Sequence, residues 1–286
     1  MKIGVKKRRI IAKYLNPFVE FFYRIKINNT SFKNAPVIIM TPGKVASSSI
    51  YSTLKESIKN PVYHIHLFSE STIEESIQDN LNSDRQYVPL HLIISKILRQ
   101  KMEKYKGDIY LISLVREPVS RAISSFFQNS AYYKSEIEDN ELKIRVDKAK
   151  EMLFKSLDGR ICTLLEEWFD NEIKANFGID VFNSNFDSNK KFIISRNKNF
   201  HHLLLRMEDV DQVFSNVIQE FLDLKEPIVL QKSNIAENKH YAEAYNEIKS
   251  EIKLPKEVLE EIIGSKYFQK FYKNKEAELI EKWSEN

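Results

Sequence analysis

The chain has 286 residues, of which 42% are hydrophobic, 12% aromatic and 29% charged, a composition that excludes disordered and fibrous classes. Six glycines and eight prolines are few, which favours a helix-rich fold over a turn-dense all-β fold. The single cysteine, Cys162, excludes an intramolecular disulfide framework and a cysteine-based zinc cluster. No window approaches about 18 uncharged apolar residues, so no membrane-spanning helix is predicted.

The net charge of +4 is unevenly distributed along the chain. Residues 1–30 contain eight lysines and arginines against one glutamate, a local charge of +7, which leaves −3 for the remainder. A chain that is acidic outside its first thirty residues is not expected to bind nucleic acid.

Residues 1–33 are predicted to form a basic amphipathic segment ahead of a domain at residues 34–286. Apolar side chains recur in this segment at roughly helical spacing, at Ile10, Ile11, Tyr14, Leu15, Phe18, Phe21 and Phe22. Such a segment can lie on an anionic membrane surface. The alternative is a helix whose aromatic face packs on the core. The segment is not predicted to be a signal peptide, because charges interrupt its apolar stretch and no small-residue cleavage site follows.

Strands and helices alternate through the first half of the domain. The pattern predicts a strand at 37–40, a helix at 47–58, a strand at 62–67, a helix at 70–83, an extended start and then a helix at 87–98, and a strand at 108–115. Pro118 suits the first position of the helix that follows.

The second half of the chain is predicted to be largely helical. Residues 136–176 read as helices, 191–195 and 202–206 as two strands around a turn, and the stretch from 241 as helices broken at Leu254-Pro255. Together these elements predict a single α/β domain with a central, mostly parallel sheet flanked by helices and a helical C-terminal part.

The first group of residues that suggests chemistry lies between the first predicted strand and its helix. It reads Thr41-Pro42-Gly43-Lys44-Val45-Ala46-Ser47-Ser48-Ser49. A strand–loop–helix connection directs backbone N–H groups and the positive end of the helix at one point, which suits a phosphate or sulfate. The loop lacks the Walker A pattern, since Val-Ala separates the lysine from the first hydroxyl. The alternative is an ordinary turn in which serines cap the helix.

The second group begins where the strand at 108–115 ends. Arg116 lies at the carboxyl end of this strand, and Ser124 lies two turns into the next helix. Ligands of open α/β sheets bind at such strand ends, and an arginine fork with a hydroxyl suits a phosphate monoester. A nucleotide kinase would instead place an aspartate here to hold Mg²⁺. Taken alone, Arg116 could equally be a structural ion-pair partner.

Taken together, these motifs resemble those of sulfotransferases. Lys44 to Ser49 (KVASSS) is similar to their 5′-phosphosulfate loop, and VREPVSRAISSFF, which contains Arg116 and Ser124, is similar to their 3′-phosphate motif. The sequence YHIH at 63–66 resembles carbohydrate sulfotransferases of the uronyl 2-O type. Three further segments resemble a bacterial family of capsular polysaccharide synthesis proteins: Glu167–Asp170, Phe177–Phe182 and Ser265–Tyr272. The resemblance spans about residues 35 to 283.

The resemblance implies a sulfotransferase-like P-loop fold and the donor 3′-phosphoadenosine 5′-phosphosulfate (PAPS). It implies transfer of a sulfuryl group to a carbohydrate hydroxyl, without a metal. Lys44 would stabilise the charge on the leaving oxygen, with help from the N–H groups of Val45 to Ser49. Ser48 or Ser49 would hold the 5′-phosphate, and Arg116 and Ser124 the 3′-phosphate. The donor-binding set is Gly43, Lys44, Val45, Ala46, Ser47, Ser48, Ser49, Arg116 and Ser124.

The acceptor hydroxyl requires a general base, for which histidine is the usual side chain. His91 is the first candidate, because the 2-O-sulfotransferases place their base histidine in the same interval before the Arg116 strand. His66 is the second candidate, and it shares a strand face with His64. Each could instead be a core histidine without a catalytic role.

Three later features have weaker functional interpretations. Glu208, after the strand at 202–206, is interpreted as structural, with an arginine near the donor as its partner. Ser233 to Lys239 could close over the donor, and Trp168 is interpreted as a core residue rather than a platform for a sugar.

Two other functions remain open: a P-loop-like nucleotide-dependent kinase, and a non-catalytic membrane-surface adaptor for which Lys44 would be dispensable. The expected location is the cytoplasm, in contact with the inner face of the membrane through residues 1–30.

Overall fold

The computed structural model describes residues 5–83, 86–129, 153, 160–231 and 242–285. The predicted helices between 136 and 159 and the predicted donor loop at 233–239 lie outside the described residues, apart from Leu153. None of the described helices is long and apolar enough to cross a membrane.

A five-stranded sheet forms the centre of the fold. Its strands are β1 (Val37–Met40), β2 (Val62–Ile65), β3 (Ile109–Val115), β4 (Phe192–Asn197) and β5 (Phe200–Arg206). Their order in the sheet is β2-β1-β3-β5-β4, and only β4 runs antiparallel to its neighbour. The predicted α/β class and mostly parallel sheet are confirmed, and the two late strands form the predicted hairpin, which turns at Lys198.

Helices cover the sheet and form most of the C-terminal part. They are α1 (Val5–Asn29), α2 (Ser47–Ser57), α3 (Glu70–Asn82), α4 (Leu90–Met102), α5 (Pro118–Asn129), α6 (Arg160–Trp168), α7 (Ala175–Phe177), α8 (Val210–Phe221), α9 (Ala242–Glu251), α10 (Lys256–Gly264), α11 (Lys266–Phe271) and α12 (Glu276–Trp283). A π-helical segment, Phe169–Lys174, joins α6 to α7. Pro118 begins α5 as predicted, and the break between α9 and α10 falls at Leu254-Pro255.

The two faces of the sheet have separate hydrophobic cores because side chains alternate along each strand. Ile39 of β1 and Leu114 of β3 pack with α2 and α8 on one face. Ile38 and Met40 point to the other face, where α4, α5 and the C-terminal helices form the larger core. With both faces buried, the central strands are continuous apolar runs, which explains why β1 and β3 were recognisable in the sequence.

The order of the strands creates a crevice at the carboxyl ends of the parallel strands, which form one edge of the sheet. The chain passes from β1 to β2 on one side of β1 and then returns to β3 on its other side. In open α/β sheets, ligands bind outside the carboxyl ends of the strands at such a reversal of strand order. The loop after β1 and Arg116 after β3 both lie at this edge.

Candidate functional site

The loop between β1 and α2 has an unusual backbone conformation. Gly43, Lys44 and Ala46 have φ angles of 80°, 63° and 58°, in the left-handed region that disfavours residues with a β-carbon. Val45, between them, is buried in the core that also contains α2. The buried Val45 side chain stabilises the strained turn. Residues in left-handed conformations next to a helix start form concave groups of N–H donors.

Two arginines bind one side of this loop, which we call its outer side. Arg121 of α5 donates hydrogen bonds to the carbonyl oxygens of Pro42 at 2.8 Å and Gly43 at 3.2 Å. Arg116 donates to the carbonyl of Lys44 at 2.8 Å. In a trans peptide the N–H group points away from the carbonyl of the same unit. The N–H groups of Gly43, Lys44 and Val45 therefore point away from the arginines, toward the inner side of the loop.

The start of α2 presents further backbone N–H groups, although that of Ser49 already donates to the Ala46 carbonyl at 3.1 Å. Its N-cap residue is Ala46, whose side chain forms no capping hydrogen bond, so the serine-cap alternative is wrong for the N-cap position. At α5, by contrast, the carboxylate of Glu117 accepts the N–H groups of Val119 at 2.7 Å and Ser120 at 2.9 Å. Of the helix starts that follow β1 and β3, that of α2 lacks a carboxylate cap, so it better suits an anion.

The three serines of the loop occupy different environments. Ser47 is buried, accepts a hydrogen bond from the Thr41 hydroxyl at 3.2 Å and lies 2.9 Å from Nε2 of His64. Ser49 is also buried, whereas Ser48 is only half-buried. Ser47 is thus part of an internal network, and Ser48 is the hydroxyl most accessible to a ligand.

Three histidines converge beside this loop. The rings of His64 and His66 are 5.0 Å apart, and those of His66 and His91 are 5.7 Å apart. Tyr51 of α2 stacks on His64. The ring of His66 also lies close to the loop, since its Cε1 atom is 4.0 Å from the point where a β-carbon on Gly43 would lie. The two predicted base candidates, His66 and His91, are therefore neighbours.

The hydrogen bonding of His66 fixes its tautomer. Its Nδ1 lies 2.8 Å from the carbonyl oxygen of Thr41, and a carbonyl can only accept a hydrogen. Nδ1 must therefore carry the hydrogen, which leaves Nε2 with a lone pair in the neutral ring. His91 is an exposed residue in the first turn of α4.

The surroundings of the histidines favour their neutral forms. Burial lowers the pKa of His66 below 6.5, and the positive charges of Arg121 and Lys44 lower it further against the opposing effect of the Thr41 carbonyl. Burial is also the main reason why the pKa of His64 falls to about 4, with smaller effects from His66 and His91. At neutral pH, His66 is therefore an uncharged base beside two cations.

The peptide at Arg116 is held by the C-terminal helices. The Tyr267 hydroxyl accepts the Arg116 N–H at 3.0 Å and donates to the Arg116 carbonyl at 2.9 Å. Glu208 accepts the N–H of Glu117 and the hydroxyl of Tyr272, each at 2.8 Å. Glu208 therefore has the structural role predicted for it, but among the residues that the structure describes its hydrogen-bond partners are this N–H and this hydroxyl instead of an arginine.

Two residues important to the site were not identified from the sequence. Arg121 stands within the quoted motif five residues after Arg116, and its role becomes visible only where α5 approaches the loop. Tyr267 lies far away in sequence. Ser124 follows Arg121 by three residues on α5, so both belong to the same face of that helix.

Trp168 braces the segment that contains His66. Its indole N–H donates to the carbonyl oxygen of His66 at 2.8 Å, and its half-buried ring packs against the larger core. This environment agrees with the core interpretation of Trp168. Within the described residues, no group of three or more histidine, cysteine, aspartate or glutamate side chains could hold a metal ion.

Comparison with known proteins gives one match. A family model described as "Putative capsular polysaccharide synthesis protein" matches residues 141–273. The match confirms the capsular part of the resemblance over that region, which includes Tyr267 and Tyr272. No curated protein and no solved structure matches the chain.

Proposed function

We propose that this protein is a sulfotransferase that moves a sulfuryl group from PAPS to a hydroxyl group of a capsular or related surface polysaccharide. The observation that carries the proposal is the combination at one sheet edge of an N–H-lined loop with a lysine, an arginine at the adjacent strand end, and a neutral histidine beside the loop. Each of these groups matches one requirement of sulfuryl transfer.

The residues present fit an anionic donor with two phosphate positions. The inner N–H groups of the loop, the Lys44 ammonium and the Ser48 hydroxyl would hold the 5′ end. Arg116 has five N–H hydrogens, and its contacts within the described part of the chain, with the Lys44 carbonyl and the Tyr245 hydroxyl, use two. Its remaining capacity, with Ser124 on the following helix, suits a 3′-phosphate. PAPS, when bound, supplies the sulfuryl group.

In the proposed reaction, the acceptor oxygen forms a bond with sulfur while the bond between sulfur and the bridging oxygen breaks. The proton of the acceptor hydroxyl moves to Nε2 of His66, the nitrogen that carries a lone pair. Lys44 stabilises the negative charge that develops on the bridging oxygen. By gaining this proton His66 becomes a cation, which its hydrogen bond to the Thr41 carbonyl stabilises.

His66 is the stronger candidate for the base, ahead of His91. Its ring lies against the loop, its tautomer is fixed by Thr41 and its pKa is lowered by burial. His91 is exposed at the start of α4, where it could contact an acceptor whose hydroxyl group lies at His66. The proposed roles are therefore a base for His66 and an acceptor contact for His91.

A kinase is a weaker explanation of the same edge. Arg116 stands where a kinase would place a Mg²⁺-binding aspartate, and the loop lacks the lysine–hydroxyl sequence of the Walker A pattern. The match to a capsular polysaccharide family supports a carbohydrate as the acceptor.

A transfer assay tests this function. The purified protein is incubated with PAPS that carries a radioactive sulfate and with capsular polysaccharide fractions, and label in the polymer is counted. We expect transfer that Lys44→Met abolishes and that Lys225→Met, an exposed lysine elsewhere, leaves unchanged. Transfer of phosphate from ATP in place of sulfate would support the kinase, and no transfer with intact donor binding would support the adaptor.

A further inference from the structure

The N-terminal helix α1 carries a continuous apolar stripe exposed to solvent. Its six exposed members are Tyr14, Leu15, Phe18, Phe21, Phe22 and Ile25. At 100° per residue, these positions fall within about 120° of the helix circumference. Phe18 and Phe21 are 72% and 64% exposed, an unusual environment for phenylalanine.

The rest of the same helix is already docked on the protein. Ile27 is buried, and the side chain of Asn16 donates to the carbonyl of Val88 at 3.0 Å. Arg24 donates to the side chain of Gln100 at 3.1 Å. The apolar stripe is therefore not the face by which α1 packs on the domain, because the domain contacts the other side of this helix. The alternative that the aromatic face packs on the core is wrong for these six residues.

The docked contacts also fix the direction of α1. Asn16 lies beside Val88, which precedes α4, and Lys101 near the end of α4 donates to the carbonyl of Ile27 at 2.6 Å. The two helices thus run in the same direction. His91, the second residue of α4, shows that both helices begin at the end of the fold that contains the candidate site. The first half of α1 extends roughly 16 Å beyond Asn16, at 1.5 Å per residue.

The charge of the segment favours one class of partner. The first turns of α1 contain Lys6, Lys7, Arg8 and Arg9, with Lys13 following, and residues 1–30 have a charge of +7. Exposed aromatic side chains next to a basic cluster are the pattern of helices that lie in the interface of a membrane with anionic lipids. A surface formed by a second copy of this chain would instead bring two +7 segments together, which is unfavourable.

We propose that α1 docks the protein onto an anionic lipid bilayer, with its aromatic stripe in the headgroup boundary and its basic first half on lipid phosphates. This docking is independent of sulfuryl transfer. Because the basic half projects beyond the end of the fold at which His66 and His91 lie, it holds that end near the lipid surface.

Vesicle co-sedimentation of the full chain tests the proposal. Binding is measured on phosphatidylcholine vesicles and on the same vesicles enriched in phosphatidylglycerol. We expect binding to the anionic vesicles that falls roughly tenfold or more in Phe18→Ser/Phe21→Ser. The matched control is Leu164→Ser/Val229→Ser, which removes two side chains that are 62% and 78% exposed elsewhere. Circular dichroism checks that each variant is folded.

A charge variant separates the two parts of the interaction. Changing Lys6, Lys7, Arg8 and Arg9 to glutamine should remove the preference for anionic vesicles while the aromatic residues remain. Failure of the unmodified chain to bind, or equal binding of the phenylalanine variant and its control, would overturn the proposal. A dimer in size-exclusion chromatography that Phe18→Ser/Phe21→Ser dissociates, without vesicle binding, would assign the stripe to a second copy.

Discussion

The Nδ1 atom of His66 lies 2.8 Å from the carbonyl oxygen of Thr41, the residue that follows β1. This hydrogen bond joins the end of β2 to the start of the anion-binding loop. It leaves Nε2 as the nitrogen that can accept a proton. One contact thus determines both the orientation and the protonation pattern of the proposed base.

The two neighbouring histidines should differ in their effects on catalysis. We expect His66→Gln to lower kcat by roughly 100-fold or more, since a general base contributes about 10²–10⁴-fold. His91→Gln should raise KM with a smaller loss of kcat, because it contacts only the acceptor. His201→Gln, at the start of β5, is the control. A larger loss of kcat in His91→Gln would make His91 the base.

The pH dependence of kcat should show His66 as a base with a lowered pKa. Burial, Arg121 and Lys44 hold this pKa below 6.5, so His66 is already neutral at pH 7. As the pH falls through its pKa, the ring takes up a proton and the rate decreases. We expect kcat to be flat near pH 7 and its acid limb to lie below pH 6.5. A midpoint above 6.5 would contradict this environment for the base.

Arg121 should stabilise the loop as well as the folded protein. Arg121→Met removes hydrogen bonds to the carbonyls of Pro42 and Gly43, which should cost about 1–3 kcal/mol in the free energy of unfolding. The affinity for the donor should also fall, because the loop loses the hydrogen bonds that hold it in place. Urea denaturation measures the first effect. The exposed Arg196 offers a control, and Arg196→Met should change stability by less than about 0.5 kcal/mol.

His202 should make the protein sensitive to acid. It is fully buried in β5, neither ring nitrogen has a hydrogen-bond partner among the described residues, and burial lowers its pKa to about 3. In the unfolded chain the pKa returns to 6.5. As the pH falls from 6.5 toward 3, the unfolded state binds a proton that the folded state does not, so stability is lost over that window.

The variant His202→Leu should remove this contribution. The slope of unfolding free energy against pH should fall by about 1.4 kcal/mol per pH unit between pH 6 and 4. Denaturation in urea at several pH values measures the slope. Part of the acid sensitivity should persist, because the pKa of His64 is lowered to about 4. Identical slopes for the variant and the original protein would show that His202 is not buried in a neutral form.

The sequence predicted those parts of the fold that depend on local patterns. The buried strand around Ile39, the loop after it and the helix start at Pro118 could be recognised because apolar runs and proline geometry act over a few residues. The contact of Arg121 with the loop could not be recognised, since it depends on how α5 crosses the end of β1. The role of Tyr267 was equally hidden, because 151 residues separate it from Arg116 in sequence.

The ranking of the histidines shows the same limit. The resemblance favours His91 over His66, because of the position of His91 relative to the Arg116 strand in sequence. The distance of His66 from the loop and its hydrogen bond to Thr41 depend on the pairing of β1 with β2, where Met40 lies opposite Ile65. Pairing of two strands is a tertiary property, and the sequence pattern predicts the strands without predicting their register.

The most direct test of the central claim is calorimetric binding of adenosine 3′,5′-bisphosphate, compared with ADP and ATP, to the original protein and to Arg116→Ala. The account predicts binding that requires the 3′-phosphate and that weakens in the variant by about 2 kcal/mol or more, the loss of a charge-assisted contact. Equal affinity for ADP, or no binding of any of the three nucleotides, would contradict the account.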